Sequence, residues 1–220
     1  MNPLSTFADF FQNGGPFMYV ILLTGVLILG LALERFWVIG KASMVKGDKL
    51  TGDVLRLVGQ NDFQGAAELC RKVKGPSAQV AYAILTRNSR DEDKLHNAAE
   101  TEAVLVLPGL SRRLPFLSIL ANSATLLGLL GTIFGLTTAF SAVDAADPSQ
   151  RSAFLAAGIS QALNTTSFGL IVAVPSLWVH GFLVSKVEGV VDDVDRVSAR
   201  LVKAIVRGGG QAPSSRNKAA

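Results

Sequence analysis

Three apolar blocks dominate the pattern of positions along this chain. The first covers residues 17–33, and the others lie within charge-free stretches at 114–143 and 152–185. About 20 apolar residues are needed for a helix to cross roughly 30 Å of hydrocarbon. The first block is near that minimum and extends to Ile39 if Glu34 and Arg35 snorkel toward water. The second and third exceed it and are predicted to project beyond the bilayer.

The intervening segment reads as folded helices. Leu50, Val54, Leu57 and Val58 recur at helical spacing, as do Ala66, Ala67, Leu69 and Cys70, with Gly47, Gly52 and the Asn61/Asp62 pair as interruptions or caps. Gly75 and Pro76 break the chain, a further pattern runs to Leu85, and residues 89–93 supply a polar turn. From Asp91, charged positions continue through Glu100 and Glu102 and give way to Val104, Val106 and Leu107. That run predicts a helix entering the second span, bent at Pro108 or Pro115. Residues 184–206 form a charged amphipathic continuation of the third span, closed by Gly208, Gly209 and Gly210.

The expected architecture is an all-α polytopic membrane protein with three transmembrane helices, the second and third extended into a cytoplasmic helical stem. Its segments are an outer amino-terminal stretch (1–16), spans at 17–39, 114–143 and 156–184, and a cytoplasmic helical loop (40–113). An outer loop (144–155), a cytoplasmic helix (185–207) and a disordered tail (208–220) complete it. With 49% hydrophobic and 17% charged residues, the composition fits that class. No Lys or Arg precedes the first block, which argues against a cleavable signal peptide.

Charge sets the expected orientation. Of 21 basic residues, 13 lie within residues 35–113, one is Arg151 and seven follow the third span. The positive-inside rule puts the amino terminus outside and the carboxyl terminus inside. The net charge of +4 follows from this asymmetry, without nucleic-acid binding. Cys70 is the one cysteine, so no intramolecular disulfide forms, and its plain reading is a small packed side chain.

Candidate chemistry lies in the second and third blocks. Small residues recur at steps of three and four: Ser118, Ala121, Thr125, Gly128, Thr132, Gly135 and Ala139, then Ala162, Thr166, Gly169, Ala173, Ser176 and His180. Such stripes allow helix backbones to approach closely, with hydroxyls bonding across the contact. Repeated around an oligomer, rings of Thr132 and Thr166 hydroxyls could also hold water or face an ionisable group of another chain. Spacing leaves both readings open. No Asp, Glu, Lys or Arg lies within these spans and a hydroxyl does not titrate near neutral pH, so a proton shuttle has to come from a partner. Metal-ligand spacing, a nucleophile motif and a phosphate-binding glycine loop are all missing, so neither a catalytic residue, a metal site nor a cofactor is expected, and an enzyme is the least favoured class.

His180 reads as an interfacial or packing histidine, Trp37 and Trp178 as interfacial aromatics, and Phe134 and Phe168 as fillers of helix junctions. Asp144 and Asp147 read as a solvated turn. Lys41, Lys46 and Lys49 read as orientation determinants near anionic lipid.

The segments Gly128-Leu-Leu-Gly-Thr-Ile-Phe-Gly135 and Ala162-Leu-Asn-Thr-Thr-Ser-Phe-Gly-Leu-Ile-Val-Ala-Val-Pro175, with Glu34-Arg35-Phe36-Trp37 after the first span, resemble the MotA/TolQ/ExbB family of proton-channel subunits, in particular its three-span ExbB/TolQ branch. The resemblance implies a bacterial inner-membrane homopentamer around the single-span helices of an ExbD-, TolR- or MotB-like partner dimer, whose membrane aspartate meets a threonine-lined lumen. Proton motive force would be converted there into mechanical work: import energisation, envelope maintenance or motility, with a downstream transducer or motility component. Thr132 and Thr166 match the family threonines, and Pro175 matches the proline that bends the third helix. Gly128, Gly131, Gly135 and Gly169 take the packing positions. Gln161 stands where such chains commonly carry glutamate, keeping hydrogen bonding but losing charge. Thr125 stands where they often carry proline, adding a hydroxyl to the lumen set. The rival readings are a passive membrane scaffold, whose small-residue faces serve only packing and partner assembly, and a self-contained channel or transporter.

Overall fold

The computed structural model describes residues 8, 10–43 and 47–208. Half of the expected outer stretch (residues 1–7 and 9), residues 44–46 with Lys46, and the tail beyond Gly208 lie outside the described residues. From Phe17 on, the helices among the described residues are, in order, α1 Phe17–Ser43, α2 Gly47–Gly59, α3 Phe63–Lys72, α4 Pro76–Thr86, α5 Glu92–Val106, α6 Pro108–Ser111, α7 Leu114–Ala145 and α8 Arg151–Gly208. Among the described residues there is no strand, and three helical stretches are long and apolar enough to cross a membrane. The protein is an all-α polytopic membrane protein.

Two compact units make up the chain. One comprises the chain up to Glu34 with Arg113–Phe182, and the other comprises Arg35–Arg112 with the chain from Leu183.

The second unit is a helical bundle whose core draws on Leu50, Val54 and Val58 of α2, Ala66 and Cys70 of α3, Val80 and Ile84 of α4, Leu95 and Ala99 of α5, and Val194, Leu201 and Ile205 of α8. Burying each larger aliphatic side chain stabilises by about 1.5–3 kcal/mol. The polar breaks in the sequence become caps. Asn61 takes a left-handed φ of 60°, which asparagine tolerates, and ends the turn after α2. Asp62 then caps α3 by accepting from the Gly65 N–H at 2.8 Å. Pro76 opens α4 at a position where its missing N–H costs nothing. Asp91 caps α5, accepting from the Asp93 N–H at 3.1 Å.

In place of one bent helix entering the second span, the structure has three segments. Pro108 ends α5 and starts the short α6, while Pro115 falls in the first turn of α7. The reason is the same for both prolines, since the ring is accepted where no intrahelical N–H bond is due. Arg35 does not reach for water. It is buried, and its Nη1 donates to the Gly109 carbonyl at 3.2 Å.

In the first unit, α1, α7 and α8 contribute the apolar segments. The third span and the following amphipathic stretch lie in one helix, Arg151–Gly208, which contains Pro175. Glu34 and Arg113 form an ion pair. Met18, Ile21 and Phe168 form a local core with Phe10, Phe11, Leu127 and Val172, and Phe11 meets the Phe168 ring edge-on at 5.7 Å.

Candidate functional site

The α7–α8 contact is built on residues that have almost no side chain. Ala121, Ala124, Gly128, Gly131, Gly135 and Ala139 are buried on α7, and Ala162, Thr165 and Gly169 of α8 lie against its glycines. A Cβ on Gly169 would sit 2.8 Å from the Ala124 carbonyl oxygen and 3.1 Å from Gly128 Cα. One on Gly128 would sit 3.3 Å from Thr166 Cα, and one on Gly135 would sit 3.2 Å from the Ala162 nitrogen. The pairs ascend on α7 as they descend on α8, so the helices run antiparallel.

This register sorts the hydroxyls by face. A step of four residues turns a helix about 40° past a full turn, and a step of three falls about 60° short. Thr132 follows Gly128 by four and Thr166 follows Ala162 by four, so in antiparallel helices both turn to the same open side of the contact. Both are partly exposed in the single chain. Thr166 Oγ1 donates to the Gly128 carbonyl across the contact at 3.0 Å. Thr132 Oγ1 donates to the Leu129 carbonyl of its own helix at 2.6 Å. Thr125, exposed on that side, makes a long 3.5 Å bond to the Ala121 carbonyl.

Gln161 is not brought to this side. A Cβ on Gly15 would overlap the Gln161 amide, so that amide lies against the turn before α1. Thr165, one turn further along α8, is buried, and its hydroxyl lies 2.7 Å from the Gly14 carbonyl and 2.8 Å from the Gln161 carbonyl, its one proton shared between them. Gly131 makes room for the Thr165 side chain and Phe17. Spacing alone did not separate Thr165 from Thr166, and the role of the Gly14-Gly15-Pro16 turn was missed. The available signal was the i, i+4 pairing of Gln161 with Thr165 beside a Gly-Gly-Pro turn ahead of the first span.

At Pro175 the helix loses one N–H donor, and the neighbouring Ser176 hydroxyl donates to the Val172 carbonyl at 2.6 Å. No Asp, Glu, Lys or Arg lies within the charge-free stretches of α7 and α8, and among the described residues no group of three or more His, Cys, Asp or Glu is placed to hold a metal ion. The face offers neutral hydroxyls in apolar surroundings.

Residues 72–196, from the end of α3 through most of α8 and including the whole α7–α8 contact, match the MotA/TolQ/ExbB proton channel family. The chain belongs to this family. It is similar to an ExbB homolog of Methanothermobacter thermautotrophicus, 26% identical over 201 residues, covering 90% of this chain and 70% of that protein. An ExbB-like biopolymer transport protein of Synechocystis sp. is 30% identical over 167 residues, covering 74% of this chain and 78% of the relative. The Tol-Pal system protein TolQ of Haemophilus influenzae is 32% identical over 87 residues, covering 40% of this chain and 38% of its own length. The family is one of energy-transducing proton channels, and both Thr132 and Thr166 lie inside the matched stretch.

Proposed function

We propose that this chain is the channel-forming subunit of an inner-membrane motor, a non-enzymatic protein that works with a single-span ExbD- or TolR-like partner to convert proton motive force into mechanical work. The observation that carries this reading is the open α7–α8 face, where Thr132 and Thr166 supply hydroxyls in a span with no carboxylate of its own. The excess of Lys and Arg in residues 35–113 and after the third span supports an outer amino terminus and an inner carboxyl terminus. The assembly proposed with it is a homopentamer around a partner dimer, the arrangement that the resemblance implies.

In this mechanism a partner aspartate enters the ring near Thr132 and Thr166 and takes a proton from the outer side. Once neutral, it moves past apolar surface that opposes its charged form, and release to the inside restores the charge. About 2.3 kcal/mol is available per elementary charge per 100 mV, enough for a small motion. Import energisation, envelope maintenance and motility all fit such a cycle.

The test replaces Thr166 by Val, and separately Thr132 by Val, in the full complex. Co-purification with the partner should persist, while proton-dependent work falls at least tenfold. Undiminished work in both variants would favour the passive-scaffold reading, which draws support from the Thr166 bond to Gly128 as a plain packing contact.

A further inference from the structure

Ahead of α1 the chain carries Asn13-Gly14, its one Asn-Gly step, in the turn that lies against α8. Such a step is chemically labile. With no side chain on the glycine, its backbone nitrogen can reach the Cγ of the asparagine side chain. A new N–Cγ bond closes a succinimide ring, the Cγ–Nδ2 bond breaks, and the amide leaves as ammonia, taking the proton lost from the glycine nitrogen. Water then opens the ring. Cleavage of the new N–Cγ bond leaves an aspartate, and cleavage of the original peptide C–N bond leaves an isoaspartate, whose main chain runs through the former side-chain carbon. Asn13 is exposed, so water reaches it.

Gly14 is held on three sides. Its N–H donates to the Phe11 carbonyl at 3.3 Å, its own carbonyl oxygen lies 2.7 Å from the Thr165 hydroxyl, and a Cβ on it would overlap the buried Met18 side chain. The third contact disfavours any larger residue here, since Met18 would have to leave its packed position. That keeps the labile step in the chain. The first two contacts oppose its chemistry, because ring closure requires the Gly14 nitrogen to lose its proton and swing toward the Asn13 side chain while the carbonyl beyond it stays bonded. We infer that Asn13 is a site of spontaneous deamidation whose rate is set by the Thr165–Gly14 contact, a reaction independent of any proton pathway. The protection is mutual. An isoaspartate adds one carbon to the main chain next to Gly14 and draws its carbonyl away from Thr165, so a chain that has reacted loses the contact between the turn and α8. Either product also places a carboxylate just before a span that is uncharged over residues 17–33.

The full chain in lipid vesicles is aged at mildly alkaline pH in heavy-oxygen water, so that only conversion during ageing adds the label. The peptide containing Asn13 is then resolved into asparagine, aspartate and isoaspartate forms by liquid chromatography and mass spectrometry. Wild-type protein should convert on the order of tenfold more slowly than the same chain in denaturant, and Thr165→Val should recover about that factor, as the loss of one buried hydrogen bond allows. Thr165→Ser, which keeps the hydroxyl, should match wild type. Val54→Ala loosens the helical bundle and leaves the turn alone, so its rate should stay at the wild-type value. A rise there as large as in Thr165→Val would assign the protection to overall folding and overturn the inference. Thr165→Val reacting at the wild-type rate overturns it too, as does wild-type protein that converts as fast as the denatured chain.

Discussion

The Thr165 hydroxyl lies 2.7 Å from the carbonyl oxygen of Gly14, a residue 151 positions earlier in the chain. Beside it, Gly15 adopts a φ of +75°, with its Cα pressed against the Gln161 amide. Together Thr165 and Gln161 hold the turn ahead of α1 against α8, and their immediate neighbour Thr166 serves the opposite side.

Thr165→Val should therefore behave differently from Thr166→Val. Losing the donor leaves the buried Gly14 carbonyl unpaired, at about 1–3 kcal/mol. Gly15→Ala forces an L side chain into the left-handed region, again about 1–3 kcal/mol, and strikes Gln161 as well. Both should lower the unfolding midpoint in mixed micelles and speed proteolysis before Phe17, whereas Thr165→Ser should be close to wild type. A Thr165→Val protein as stable as the parent would show that this contact contributes nothing.

The close approach of α7 to α8 leads to a second contrast, between two glycines in apolar helices. Gly169→Ala puts a methyl group 2.8 Å from the Ala124 carbonyl, so the backbones must separate, at about 1–3 kcal/mol. Gly30 of α1 has open space around it, and Gly30→Ala should be neutral or stabilising by roughly 0.5–1 kcal/mol. Thermal unfolding of the two variants in the same micelles reads the difference. Because Thr166 reaches Gly128 across this same contact, Gly169→Ala should also weaken proton-dependent work.

Cys70, in the helical bundle, supplies a pH dependence. Burial disfavours its thiolate and pushes the thiol up to about 11 from an ordinary value of 9.0. The folded protein should resist thiol-alkylating reagents at pH 8 and react once unfolded. Since the folded pKa is the higher one, the folded state holds the proton more tightly. The associated stability is complete below pH 9 and is lost as pH rises from 9 toward 11. Comparing chemical unfolding of the wild type and Cys70→Ala across that range should show a steeper decline in the wild type.

Much of this molecule was legible in its sequence because the features concerned are local or compositional. Apolar length marks the spans, since each backbone polar group in hydrocarbon must bond within its own helix. Asp62, Pro76 and Asp91 mark helix starts through hydrogen bonds to near neighbours. The small-residue stripes marked α7 and α8 as contact partners, yet the stripe traced along α7 mixed two faces. Ala121, Gly128 and Gly135 are buried against α8, while Thr125 and Thr132 lie round the edge. A period of 3.6 residues, sampled at steps of three and four, does not resolve that difference.

The sequence by itself determined that this is an all-α membrane protein of the MotA/TolQ/ExbB kind, with hydroxyls and no charge in its second and third spans. Only the tertiary structure decided which hydroxyl faces which way. It turned Gln161 and Thr165 toward Gly14 and Gly15, buried Arg35 against Gly109, and bonded Thr166 to Gly128. Apolar length and capping act over a few residues, whereas the direction of a side chain round a helix is set by what the chain brings back beside it from far away in sequence.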